Sequence, residues 1–187
     1  MGYGVMAYAV DIDTVRAVCG GGDDQRRRAI CGRFRDEIMR LDDEFGLSNE
    51  RGEENLFTAI GQLVMGGEKP LEGYLYGYGF KYIVEFFGRF LDNGPFYPCP
   101  SSYLSEQVDP AIKATGAAVT MSGLVFGGAP VAFPAPDDFP GIGYWSAASV
   151  AASVEPLRAG TTEEVRTIAG WTAQAAALGQ GIVGFYH

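Results

Sequence analysis

The residues of this chain best suited to chemistry are phenols and carboxylates. The stretch "GYLYGYGFKYIVEFF" sets Tyr74, Tyr76 and Tyr78 at alternating positions, with Tyr82 and Glu85 following. Tyrosine and carboxylate side chains can act as general acid and base without a cofactor. The catalytic candidates are therefore Asp11, Tyr78, Tyr82 and Glu85, joined by Cys99 from the proline-rich stretch "FYPCPSSYL". Tyrosine also offers a flat surface with a polar tip, which suits planar or apolar ligands. Tyr74, Tyr76, Tyr78 and Tyr97 are the ligand-binding candidates, in a site between the Tyr74–Tyr78 segment and that proline-rich stretch. Glycines 73, 77 and 79 would leave room beside the backbone, and prolines 95, 98 and 100 would stiffen the facing loop. Each residue also has a plainer role: Asp11 as a helix cap, the tyrosines as core, Glu85 as surface charge.

Histidine chemistry is nearly excluded. His187 is the only histidine, and a Ser-His-Asp triad would have to recruit it from the last position. One histidine cannot build a two- or three-histidine zinc site, and Cys19, Cys31 and Cys99 form no zinc spacing. No metal and no cofactor are expected. The thiols read as small buried hydrophobes; Cys99, between two prolines, is the one a loop could present. "CGGGDD" lacks the P-loop pattern and reads as a helix C-cap followed by a turn.

Charge narrows the partners. The 187 residues carry a formal net charge of −9, which disfavours a nucleic-acid binder and would steer a basic protein partner. "DDQRRRAICGRFR" is a local basic run, but its flanking aspartates point to intrahelical ion pairs on a solvated face. At 47% hydrophobic and 20% charged residues the composition is that of a soluble globular protein. No apolar run reaches the length of a membrane helix and the N-terminus lacks a signal-peptide pattern, so a cytoplasmic location is expected.

The elements that must position these residues follow from hydrophobic period. Residues 3–10 and 181–186 read as strands that share one sheet. Asp11 or Asp13 caps a short helix through Val18. Ile30, Phe34, Ile38, Leu41 and Phe45 predict one long amphipathic helix over 24–45, and "EENLFTAIGQLVMGG" predicts another, stopped by Gly66 and Gly67. Tyr82, Phe86 and Phe90 fall on one i, i+4 row, which predicts a helix over 78–91 with all three buried. Residues 94–145, holding most of the prolines, read as short strands and turns. Ser146 caps a helix to about Leu157, and Thr161 with Glu164 forms a capping box for a helix reaching Ala177. The expected fold is a single α+β domain over residues 1–187, with a small mixed sheet of N- and C-terminal strands packed by amphipathic helices.

"YAVDIDTVRAVCGGGDD", "YGYGFKYIVEFFGRFL" and the pattern of Trp171, then alanines, then "GIVGFYH" resemble an uncharacterised actinobacterial domain-of-unknown-function family. More distantly, "GYWSAASVAASVEPL" followed by a helix and a last strand is similar to YfbM-like small bacterial proteins. The resemblance implies a fold and no catalytic residues. Two function classes stand. The first is a non-catalytic binding or interaction protein, for example of the immunity type. The second is a small cofactor-independent pocket enzyme, a cyclase, isomerase or hydrolase acting on an apolar or aromatic metabolite. A closed cavity beneath Tyr74, Tyr76 and Tyr78 would favour the enzyme; a filled core there beside an exposed patch would favour a protein partner.

Overall fold

A computed structural model describes residues 3–48, 50 and 53–187. In chain order it contains β1 (Val5–Val10), α1 (Ile12–Val18), α2 (Asp24–Arg33), α3 (Arg35–Glu44), α4 (Leu56–Met65), α5 (Gly73–Phe87) and β2 (Arg89–Leu91). After these come α6 (Ser101–Tyr103), a π-helical stretch (Leu104–Val108), α7 (Asp109–Ala114), α8 (Met121–Phe126), β3 (Gly141–Trp145), α9 (Ala147–Leu157), α10 (Glu163–Ala177) and β4 (Gly181–Tyr186). By internal contacts the chain divides into two units. One comprises Met1–Ile12, Gly88–Pro130 and Gly141–His187; the other comprises Asp13–Phe87 and Val131–Pro140.

The first unit is built on a sheet of order β2-β1-β4-β3. Its central strands are the short apolar runs "VMAYAV" and "GIVGFY", which cannot hide their backbone edges alone and so pair with each other, Val5 opposite Tyr186 and Val10 opposite Gly181. The expected pairing of first and last strands holds, as does the α+β class. Every pairing is antiparallel, which corrects the expectation of a mixed sheet.

Leu91, Ala7, Gly184 and Gly143 form one row across that sheet. A Cβ on Gly143 would stand 2.2 Å from the Gly123 carbonyl oxygen, and one on Gly184 would stand 2.7 Å from Leu124 Cγ. The backbone of α8 therefore lies directly on two glycines. Thr120 caps α8, its Oγ1 accepting from the Gly123 N–H at 3.0 Å, and Asp109 accepts from the Met121 N–H at 2.6 Å. These caps explain why "TMSGLVF" is helical where short strands were expected. Ser146 caps α9 as expected. The cap of α10 is Thr162 rather than Thr161, and Glu164 instead accepts the Tyr103 hydroxyl at 2.7 Å. That bond holds the Glu164 carboxyl below its ordinary range and raises the Tyr103 phenol.

The second unit is helical. Phe34 (φ −107°, ψ 21°) interrupts the expected 24–45 helix and splits it into α2 and α3. The aromatic stretch also departs from expectation at both ends. Helix α5 begins at Gly73, so Tyr74, Tyr76 and Tyr78 all lie within it, and it ends at Phe87. Residues 89–91 form β2 of the first unit, with Tyr8 opposite Phe90. Phe90 is 45% exposed and Phe86 half-buried, so of the expected buried row only Tyr82 is core. The i, i+4 spacing of Phe90 was real, but Gly88 ends the helix and the open edge of β1 takes the following residues as a strand. "CGGGDD" caps α1 and turns as expected, through Gly20 (φ 85°) and Gly22 (φ 71°). Their N–H groups donate to the Leu63 and Val64 carbonyls at 2.8 and 3.0 Å, which ties this turn to the C-terminal end of α4.

Candidate functional site

A cleft of about 950 Å³ opens between α2 and α4 in the second unit. Asp23 starts α2 by accepting from the Arg26 N–H, and the turn stitched to Leu63 and Val64 places this start by the far end of α4. One turn on, Asp24 accepts from Nε of Arg27 at 2.8 Å and from Nε of Arg28 at 2.7 Å. Nη2 of the two arginines adds contacts of 2.7 and 2.5 Å, so one carboxylate bridges two guanidiniums. Hydrogen bonds from Arg27 and then Arg28 hold the Asp24 carboxyl below its ordinary range. The intrahelical pairs expected from "DDQRRR" are therefore present, and they also form one wall of the cleft. The other wall belongs to α4: Phe57, Gly61 and Met65, the last 43% exposed, with Gln62 between them. No motif marked this cleft in the sequence. The legible signal was the arginine run itself, three or four residues apart on one helix from its acidic partner.

The N-terminal end of α4 is built from buried polar groups. Asn55 Oδ1 accepts from the Thr58 N–H, and its Nδ2 donates to the Ser48 and Glu50 carbonyls at 2.9 and 3.0 Å. This holds Glu50 at the cleft rim. Asp42 of α3, fully buried, accepts from the Leu56 N–H through Oδ1 at 3.0 Å. Its Oδ2 is buried without a hydrogen-bond partner among the described residues. Burial raises the Asp42 carboxyl above its usual value; the Leu56 bond opposes this only in part. Because the folded-state value is the higher one, the contribution of Asp42 is most favourable below the ordinary aspartate value of about 3.9. It is lost as pH rises through the raised folded value. Urea titrations of the parent and Asp42→Asn at pH 4 and pH 7 should show the parent losing ground to the variant at the higher pH. An unchanged or reversed difference would contradict this burial argument.

The tyrosines of α5 are largely occupied by the protein itself. Tyr76 is fully buried; its hydroxyl donates to Gln62 Oε1 at 2.5 Å and accepts from the Leu71 N–H at 3.1 Å. Tyr74 and Tyr78 lie against Phe45, with ring centroids 5.2 and 5.3 Å away. Tyr82 packs on Phe34 at 5.2 Å, and burial raises its phenol far above the ordinary value. Glu85 pairs with Lys81 at 3.0 Å. Tyr76→Phe should therefore cost about 1–2 kcal/mol by stranding Gln62 Oε1 and the Leu71 N–H. A urea midpoint equal to the parent's would show that neither group needs the phenol.

The space beside glycines 73 and 77 is filled as well. A Cβ on Gly73 would stand 2.1 Å from the Ala135 carbonyl oxygen, and one on Gly77 would stand 2.9 Å from side-chain carbons of Pro136 and Pro140. The segment Val131–Pro140 lies where a ligand was expected. Of the candidates, α5 brings together Tyr74, Tyr76, Tyr78, Tyr82 and Glu85. Asp11, Tyr97 and Cys99 belong to the first unit. Asp11 is exposed immediately before α1. Tyr97 is 50% exposed and covers Gly4. Cys99 is buried, its N–H donating to the Tyr3 carbonyl and its own carbonyl accepting from the Tyr186 hydroxyl at 2.8 Å.

Burial raises all three thiols, Cys19 up to about 12, so each is a neutral thiol at pH 7 rather than a thiolate. Among the described residues no group of three His, Cys, Asp or Glu side chains is placed to hold a metal ion, and no helix is long and apolar enough to cross a membrane.

Sheet, helices and cleft together define an α+β protein with a four-stranded antiparallel sheet and a charged, partly apolar cleft between two helices of its second unit. The chain belongs to the family described as "Domain of unknown function (DUF7691)", whose model matches residues 1–187. No curated protein matches the chain, and no solved structure does.

Proposed function

We propose that this chain is a non-catalytic interaction protein that receives a partner protein at the α2–α4 cleft. The observation that carries the reading is the state of α5. Its tyrosines, the strongest candidates for acid–base or stacking chemistry, are packed against Phe45, Phe34 and Phe133. The hydroxyl of Tyr76 is spent inside the protein, and the room beside Gly73 and Gly77 holds the protein's own residues. A filled aromatic core beside an open cleft supports the binding reading over a pocket beneath the tyrosines. The cleft joins charged groups to apolar ones, as the core and rim of protein interfaces do. A net charge of −9 draws a basic partner in at long range, and an immunity-type role, in which such a protein masks a toxic partner, fits that balance.

A photo-crosslinking residue placed at Met65, on the cleft and already exposed, tests the reading. Capture of one defined protein from cells, absent when the crosslinker sits at exposed Leu178, is the expected result. A thermal-shift screen against a metabolite panel runs beside it. A compound that stabilises the protein and is turned over, with no crosslink at Met65, would replace this reading with the pocket enzyme.

A further inference from the structure

We infer that the α2–α4 cleft takes a partner segment in which an acidic side chain stands beside a bulky apolar one. This rests on the interaction reading above and names the chemistry of the segment. The charge count within the cleft comes first. Arg27 and Arg28 share the single carboxylate of Asp24, each through Nε and Nη2. A guanidinium carries five N–H donors, and among the described residues Nη1 of neither arginine has an acceptor, which leaves it for a partner group. Among the described residues the cleft lining is balanced overall, Arg27 and Arg28 against Asp24 and Glu50, but at the Asp24 end two guanidiniums face one carboxylate, a local surplus of one. Arginine is suited to fill it, because its planar fork recognises carboxylates with defined geometry.

The opposite wall asks for something apolar. Phe57 and Met65 line it, and at Gly61 the helix backbone is bare. A Cβ built there would meet only Arg27 Cδ, at an ordinary 3.7 Å, so the wall is open to an incoming side chain. Methionine adapts its shape to what it meets. Acid and apolar group must therefore be neighbours, one facing α2 and the other facing α4, as in an amphipathic segment laid in a helical groove.

Glu50 is the second carboxylate of the cleft, and it sets direction. It is held at the N-terminal end of α4 through Asn55, whereas Asp24 stands by the turn bonded to Leu63 and Val64 at the other end. Like-charge repulsion keeps the acid of the segment away from Glu50 and at the arginine end. The partner as a whole can still be basic. Net charge governs approach at long range, while the arginine pair selects one side chain at contact.

The probes are three blocked hexapeptides in which leucine alternates with glutamate, glutamine or lysine, titrated into the ¹⁵N-labelled full chain. The glutamate peptide should shift the Thr58, Gly61 and Gly66 amides and bind at least tenfold tighter than the lysine peptide. Arg28→Ala and Arg27→Ala should each weaken it at least tenfold. Arg28 is 73% exposed, so its variant is expected to fold, and an unchanged amide spectrum outside the cleft verifies this. Equal affinity for the three peptides, tighter lysine binding, or shifts confined to other surfaces would overturn the inference. So would octanoate occupying the cleft while the glutamate peptide does not. If any of these occurs while the Met65 crosslink still captures a protein, the segment chemistry falls and the interaction reading survives. If the crosslink is also empty, both fall.

Discussion

Trp171→Ala should lower the unfolding free energy by about 3–5 kcal/mol, the usual cost of removing a large buried aromatic. Trp171 is 2% exposed and is among the largest fully buried side chains of the first unit. Its ring lies 5.2 Å from that of Phe96, and its Nε1–H donates to the Asp92 carbonyl at 2.8 Å. The indole therefore pins α10 to the turn after β2, the edge strand of the sheet. Two losses add on truncation: a cavity that the neighbouring rings cannot fill, and an unsatisfied carbonyl at Asp92. Trp171→Phe helps to separate them, because it removes the donor while keeping most of the packing. It should cost about 1–2 kcal/mol. Urea titrations of both variants check the pair. If Trp171→Ala costs under about 1 kcal/mol, α10 is not anchored through this ring.

The parts of the fold that could be read from the sequence were those in which one local rule acts alone. β1 and β4 are apolar runs bounded by turn signals, and no competing period obscures them. Ser146 stands directly before "AASVAASVEPL", and its side chain accepts from the Ser149 N–H as a helix cap should. Where two rules competed, the sequence was ambiguous. Phe86 and Phe90 satisfy helical spacing, yet whether residues 89–91 continue a helix depends on an open strand edge at β1, some eighty residues earlier in the chain. The T-x-x-E spacing singles out Thr161, yet the cap is Thr162, whose side chain accepts from the Val165 N–H, while Glu164 accepts the hydroxyl of Tyr103, 61 residues earlier in the chain. The cleft was less legible still. It consists of the space between α2 and α4, and that space is set by where Gly20 and Gly22 donate their N–H groups, which no residue spacing reports.

The glycines of α5 show most clearly how one sequence feature supports two opposite readings. Glycine in a helix costs up to about 1 kcal/mol relative to alanine, so a run such as Gly73, Gly77 and Gly79 needs a reason. A ligand against the backbone is one reason, and a packed segment of the chain is another. In the structure the neighbour at Gly73 is backbone: a Cβ would stand 2.1 Å from the Ala135 carbonyl oxygen, 2.6 Å from its carbon and 2.9 Å from the Pro136 nitrogen. A backbone held between prolines cannot move aside as a side-chain tip does. Gly73→Ala should therefore destabilise by about 3 kcal/mol, at the upper end of overpacking costs, and should expose Val131–Pro140 to faster proteolysis. If the space held only solvent or an absent ligand, helix propensity would act alone and the same change would be neutral or stabilising. Gly61→Ala supplies the opposite sign as a control. It lies within α4, where a Cβ would meet only Arg27 Cδ at an ordinary 3.7 Å, so alanine there should stabilise by about 1 kcal/mol. Urea midpoints of the two variants decide the matter. If Gly73→Ala proves as stable as the parent, the Val131–Pro140 segment does not rest on α5, and the space beside Tyr74 and Tyr76 is free for a ligand.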